Sequence, residues 1–159
     1  MRAADRDNEA PTVTIRLRPA SLADYAFARD VHHAGMRWIV ERLFGWDDAA
    51  QDARFERQFV LPEVRIIILD DQDVGCLQIA EERDSFFLKQ LHVAASFQNR
   101  GIGTQVLRQL IEEARRTGKP MTVGVVKFNP ARALYERLGF RTLREDAHKF
   151  YMQRQDPNA

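Results

Sequence analysis

The sequence predicts one α+β domain built on a mixed, mostly antiparallel sheet of about seven strands flanked by about four helices. Three observations carry this reading. Val13, Ile15 and Leu17 alternate with Thr14, Arg16 and Arg18, the period of a half-buried strand. Three strand-like segments, "VRIIIL", "VGCLQIAEE" and "SFFLKQLHVA", follow one another with no helix between them, which makes an antiparallel meander and excludes a doubly wound nucleotide fold. Finally, a strongly amphipathic helix and a second strand–helix pair come after the meander.

The elements follow in order. Pro19 ends the first strand, and Ser21 with Asp24 resembles a capping box for a helix from Leu22, whose apolar positions Phe27, Val31, Ala34 and Trp38 recur at helical spacing until Gly45 breaks it. Asp47 or Asp48 caps a second helix to about Phe59, and Pro62 closes that region before the meander, whose first turn is Asp70 to Asp73. In the third helix Ile102, Val106, Leu107, Leu110, Ile111 and Ala114 form one apolar stripe, with Arg108, Glu112, Glu113 and Arg116 opposite and Gly118 and Pro120 as stops. "MTVGVV" has the continuous apolar character of a strand covered on both faces; Asn129 then caps, Pro130 starts and Gly139 ends a fourth helix. The tail divides at Asp146 and Ala147 into a strand hairpin, giving the order β-α-α-β-β-β-α-β-α-β-β. Residues 1–11 are expected to form a flexible N-terminus and 12–159 a single domain, since no linker, repeat or low-complexity segment interrupts the 159 residues.

Charge and composition exclude several function classes. The 24 Lys and Arg nearly cancel the 23 Asp and Glu, so no global field draws the chain to nucleic acid or an anionic membrane. The single cysteine, Cys76, sits in an apolar segment and reads as a buried structural thiol in a reducing cytoplasm. The start is polar, without the apolar core of a secretory signal, and a cytoplasmic protein is expected. No metal is implied: His32 and His33 are adjacent and cannot face one ion from a regular helix, while His92 and His148 lack partners nearby in sequence.

The stretch "SFQNRGIGTQVLRQL" places Gly101 and Gly103 just before the third helix, where unpaired backbone N–H groups and the positive end of the helix dipole make a seat for phosphate oxygens. Spacing removes two nucleotide motifs. GxGxxG requires glycine where Val106 stands, and a P-loop requires Gly-Lys-Ser/Thr. What remains is Gln98-x-Arg100-Gly101-x-Gly103 between a meander strand and a helix.

That pattern resembles motif A of the GNAT superfamily of acyl-CoA-dependent N-acetyltransferases, and "NPARALYERLGF" is similar to the strand–helix unit that follows it in the family. The resemblance covers about Thr12 to Arg154 and implies acetyl-CoA as acyl donor with no metal, and transfer to a primary amine of a small molecule or peptide by direct attack. It further implies that the backbone of Gln98, Asn99, Arg100, Gly101, Ile102, Gly103 and Thr104 holds the pyrophosphate, with the Arg100 side chain as a cation beside it or as a solvated charge. By the same resemblance Leu91, His92 and Val93 line the pantetheine arm together with Asn129, an amide near Val93 serves the oxyanion, and Tyr135 is the general acid facing the coenzyme sulfur. Glu81, Glu82 and His92 stand as candidate bases, with an ordinary solvated cluster as the alternative for the two glutamates.

Acceptor specificity in the family comes from the first two helices and the last hairpin, which carry Trp38, Phe44, Trp46, His148 and Tyr151 here. The aromatics and carboxylates of "ERLFGWDDAAQDARF" suit a cationic amine. Dimerisation is common in the family, so a homodimer is allowed, and a non-catalytic acyl-CoA sensor or interaction domain is the alternative to an enzyme.

Overall fold

Four apolar residues in a row, Ile66 to Leu69, leave no solvated face, and the strand they form is buried on both sides of a sheet. The computed structural model describes residues 14–155 and contains, in chain order, β1 (Ile15–Pro19), α1 (Tyr25–Phe44), α2 (Asp48–Gln58), β2 (Val64–Leu69), β3 (Gln72–Glu81), β4 (Phe86–Val93), α3 (Ile102–Thr117), β5 (Met121–Val126), α4 (Ala131–Arg137), β6 (Arg141–Glu145) and β7 (Lys149–Arg154). The flexible segment expected over residues 1–11, and Val13 of the first strand, lie outside the described residues. The element order is the expected one, and the sheet order is β1-β2-β3-β4-β5-β7-β6. Every neighbouring pair is antiparallel except β4 and β5, which are parallel.

Two apolar layers hold the sheet. On one face α3 brings Ile102, Val106, Leu107, Leu110 and Ala114 onto Leu77, Leu88, Met121 and Met152, in one cluster that also takes in Tyr135 and Phe140. Val106, Leu107 and Leu110 are almost wholly buried, each worth about 1.5–3 kcal/mol of transfer. On the other face α1 and α2 cover Ile66, Ile68 and Cys76 with Ala28, Val31 and Phe55. Burial pushes the Cys76 thiol up to about 12, so it stays protonated and unreactive, as its apolar surroundings suggested.

The expected capping box is present: the Ser21 amide donates to Asp24 Oδ2 at 2.8 Å, over a single 3₁₀ turn (Leu22–Asp24) that leads into α1. Gly45 ends α1 with φ of 76°. The buried face of α1 overlaps the expected one in part. Val31 is buried and Phe27 packs against the same cluster, as expected, but Ala28, His32, Gly35 and Ile39 turn inward beside them, whereas Ala34 and Trp38 are exposed. The added stripe is one residue from the expected one, about 100° about the helix axis, and both satisfy helical spacing.

Three bulges among the described residues shape the sheet. Lys89 is an extra residue in β4 opposite Gln78 and Ile79, Val74 in β3 opposite Ile67 and Ile68, and Leu143 in β6 opposite β7. The last of these lies on the outermost strand, all five of whose residues are exposed. Gly75, next to the β3 bulge, is pressed against β4: a Cβ there would run into the His92 carbonyl oxygen and lie 3.1 Å from Val93 Cα. Gly124 contrasts with it, since a Cβ there meets only Tyr151 and Lys149 side-chain atoms at ordinary distances of 3.6 Å and more. Gly75→Ala is therefore expected to destabilise the fold by about 1–3 kcal/mol, read as a lowered urea midpoint, while Gly124→Ala leaves the midpoint nearly unchanged. Equal midpoints for the two variants would contradict the close approach of β3 and β4.

Candidate active site

The site begins where two strands stop pairing. β4 and β5 are in register only from Phe86↔Met121 to Leu88↔Val123, and the next residue of β4 is the bulged Lys89. The bulge also resets the alternation of β4. Leu88 faces the α3 layer before it and Leu91 and Val93 pack against that layer after it, which turns Gln90 and His92 toward α1. Between the parted ends lies a cleft of about 110 Å³, floored by Val123 to Val126 and closed by Met36 and Ile39 of α1 on one side and by Tyr135 of α4 on the other.

A larger groove, about 690 Å³, runs from the start of α3 past Leu91, His92 and Val93 to Asn129, and shares those last elements with the cleft. Gln98, Asn99, Gly101, Ile102, Gly103 and Thr104 line it. Asn99 and Gly101 have positive φ (64° and 76°), and Gln98 Nε2 donates to the Val93 carbonyl at 3.0 Å, fixing the loop to the end of β4. The first intrahelical bond of α3 is Gln105 N to Gly101 O, so the N–H groups of Ile102, Gly103 and Thr104 have no acceptor within the helix. Gly103 is helical, and a Cβ on it would meet nothing within 4 Å. Nothing among the described residues requires glycine there, and the open space over those amides fits a pyrophosphate. Arg100 is exposed and is not part of the groove lining; its guanidinium lies 5.3 Å from the Phe97 ring centroid.

Tyr135 reaches the cleft from the middle of α4, a helix capped by Asn129 Oδ1, which accepts from the Ala131 amide at 2.9 Å. The ring packs edge-on against Phe140, and burial pushes its phenol up to about 12, so it holds its proton at neutral pH. His92 borders the same cleft. Its Nε2 lies 2.8 Å from Gln90 Oε1, and its ring is so close to α1 that a Cβ on Gly35 would collide with Nδ1. The His32 ring meets it edge-on at 5.2 Å; His32 Nδ1 lies 3.2 Å from His33 Nδ1, and His33 Nε2 lies 2.8 Å from Asp52 Oδ1 at the surface. Burial pushes His92 down to about 4; burial, the neighbouring imidazoles and Arg54 push His32 down to about 3.

Other expected site residues are not brought here. Glu81 and Glu82 lie at the closed end of the β3–β4 pair, where Glu81 faces Phe86, about 20 Å along the strand from His92 at ~3.3 Å per residue. Glu81 accepts from Lys119 Nζ at 3.0 Å, and Glu82 is exposed. The expected aromatic wall is dispersed. Trp38 lines the groove against Phe128; Phe44 meets His148 on the rim; Trp46 packs on His33 and donates to Asp48; the Tyr151 hydroxyl donates to Asp146 under the Arg144 guanidinium. Three carboxylates of residues 41–55 are likewise engaged outside the cleft, Glu41 on Arg37, Asp48 on Trp46 and Asp52 on His33.

Sequence reasoning missed Gly35, Met36, Lys89, Gln90 and Lys149 in the cleft and His32 behind it. For α1 a signal existed in the stripe Ala28, His32, Gly35, Ile39, but Phe27 and Trp38 drew the choice to its neighbour.

The element order and the seven-stranded mixed sheet are those of the GNAT fold. The chain belongs to the acetyltransferase (GNAT) domain family, whose sequence profile matches residues 62–142. It is 34% identical over 76 residues to the uncharacterized N-acetyltransferase YsnE of Bacillus subtilis; the match takes in 45% of this chain and 50% of YsnE, so the chain spans about half the length of that curated relative. Its fold is similar to that of the PaiA N-acetyltransferase from Thermoplasma acidophilum in complex with coenzyme A (TM-score 0.75, 15% identity, 90% of this chain and 99% of that one). An acetyltransferase from Thermus thermophilus is similar too (TM-score 0.70, 20% identity, 90% and 97% covered). Among the described residues no helix is long and apolar enough to cross a membrane, and no cluster of three or more His, Cys, Asp or Glu is placed to hold a metal.

Two outcomes are expected. Gly103→Ala should leave stability unchanged or raised by up to about 1 kcal/mol, as alanine does within a helix, yet weaken coenzyme A binding in calorimetry; undiminished binding would remove the amides of α3 from the site. His32 and His92 are neutral when folded but titrate near 6.5 when unfolded, so between about 4 and 6.5 the unfolded chain binds more protons. Stability therefore falls as pH falls through that window, by about 1.4 kcal/mol per pH unit for each group. The slope of urea midpoint against pH should be shallower in His32→Gln, and an identical slope would show that His32 is not neutral in the folded protein.

Proposed function

We propose that the protein moves an acetyl group from the thioester of acetyl-CoA to a primary amine of a small molecule or peptide, by direct attack of the amine. The observation that carries this reading is the continuity of the groove: free helix amides at one end, an edge of β4 along its length, and a protonated phenol at the other. Bound coenzyme supplies an activated acyl carbon and a thiolate leaving group.

The chain's own residues do the rest. The amides of Ile102, Gly103 and Thr104 hold the pyrophosphate, and the main chain of Leu91 to Val93 with Asn129 aligns the pantetheine arm as an added strand is aligned, bringing the thioester to the gap between β4 and β5. A main-chain amide near Val93 donates to the oxygen that gains charge. Tyr135 donates its proton to the departing sulfur; its raised pKa keeps that proton in place until the sulfur is basic enough to take it. Of the three candidate bases His92 is the one that borders the cleft, and it is the residue this reading assigns to take up the amine proton. The buried free thiol of Cys76 is in keeping with a reducing cytoplasm.

Calorimetric titration with coenzyme A and thiol release from acetyl-CoA across a panel of amines test the reading together. Tyr135→Phe is expected to lower kcat by about 10²–10⁴, the usual worth of a positioned proton donor, while changing coenzyme affinity little. An unchanged kcat removes Tyr135 from the chemistry, and failure of coenzyme A to bind sinks the function as a whole.

A further inference from the structure

On the α1–α2 side of the sheet a second pocket, about 370 Å³, opens behind the cleft. Lys89, Gln90 and Lys149 line both spaces, so the pocket is reached from the point where the two strands part. Its walls include the rings of Phe55 and Phe87, and its polar groups are Arg57, Lys89 and Lys149, the His32 imidazole and the amides of Gln58, Gln78 and Gln90. Among the described residues no carboxylate lines it.

The charge balance decides what such a pocket takes. Glu63, beside it, accepts from both Lys89 Nζ and Gln78 Nε2 at 2.8 Å, so the charge of Lys89 is answered within the protein. Among the described residues no carboxylate pairs with Lys149 or Arg57. Lys149 is half-buried, its stem running over Gly124, where the missing side chain leaves the sheet open beneath it. Two unanswered cations, half-buried Lys149 and exposed Arg57, facing a half-open space bordered by apolar rings raise the local potential and disfavour a further cation there.

We infer that the acceptor amine carries an acidic group, a carboxylate or a phosphate, which docks against Lys149 and Arg57 while the amine reaches past Gln90 into the cleft. This rests on the acetyltransferase reading and gives it a substrate class, opposite in charge to the cationic amine that the carboxylates of residues 41–55 suggested. Specificity then comes from the far end of the acceptor: a polyamine meets like charge, and a neutral amine leaves the cations unpaired.

The test uses acetylated products, which need no turnover. Protein saturated with coenzyme A is titrated calorimetrically with an N-acetyl amino acid, its carboxamide, N-acetyl phosphoethanolamine and N-acetylputrescine. At least one of the two acids is expected to bind about tenfold or more tighter than the carboxamide, as a charge-assisted hydrogen bond provides, and N-acetylputrescine more weakly than either acid; which acid binds tighter distinguishes carboxylate from phosphate. Lys149→Met should bring the acid-to-carboxamide ratio to within about twofold, and Lys149→Arg should retain it. Carboxamide binding as tightly as both acids, N-acetylputrescine binding tightest, an unchanged ratio in Lys149→Met, or no binding by any of the four overturns the inference. With coenzyme A bound, those results overturn the acidic acceptor alone; if coenzyme A itself does not bind, the acetyltransferase reading falls with it.

Discussion

The extra residue at Lys89 is the constraint from which the rest of the site follows. A regular ladder between β4 and β5 would continue past Leu88 and Val123 and leave a flat, sealed sheet. One unpaired residue bends β4 away, opens a gap with free main-chain edges, and exchanges the faces of everything after it. Leu91 and Val93 thus stay with the α3 core while Gln90 and His92 are delivered to the opposite layer. The long groove, the cleft and the pocket behind it are consequences of one local irregularity, and the apolar layers on either side offset its cost.

The titratable rings near the gap are kept neutral. Two imidazoles lie in the α1 interface as uncharged rings, packed edge to face. Gly35 is what lets α1 sit down on His92, since any side chain there would displace the ring. Tyr135 is treated likewise from the other layer, its phenol uncharged and its ring fixed by Phe140. Proton-carrying groups from both layers thus meet at a place where strand pairing has already ended.

Most of the fold was legible because its signals are local. Alternation marked β1, continuous apolar runs marked β2 and β5, and glycine, proline and Asn129 fixed the helix ends. The turn before α3 was legible for the same reason, since Gly101 and Gly103 sit within one helical turn of the amides left without helical partners. What was not legible depends on register and rotation. Nothing in "FFLKQLHV" marks Lys89 as a bulge, and the outward Trp38 and inward His32 of α1 reverse the rule that aromatic residues are core and histidines are surface. The proposed acceptor pocket gathers Arg57, Lys89 and Lys149 from α2, β4 and β7, and no sequence window contains them together. Glu81 and Glu82 show the converse: close in sequence to β4, they lie at its wrong end because the hairpin doubles back.

The bulge at Leu143 has a bearing on how this chain behaves among its own copies. β6 ends the sheet with an open row of hydrogen-bonding groups, the arrangement on which a neighbouring strand can template itself. The inserted residue breaks the spacing of that row, and Arg141, Arg144 and Glu145 place charges along it. An incoming strand would lose register within a few residues and bring its own side chains against those charges. At this edge the sheet is thereby guarded against edge-to-edge pairing by the same kind of defect that, deeper in the sheet, parts β4 from β5.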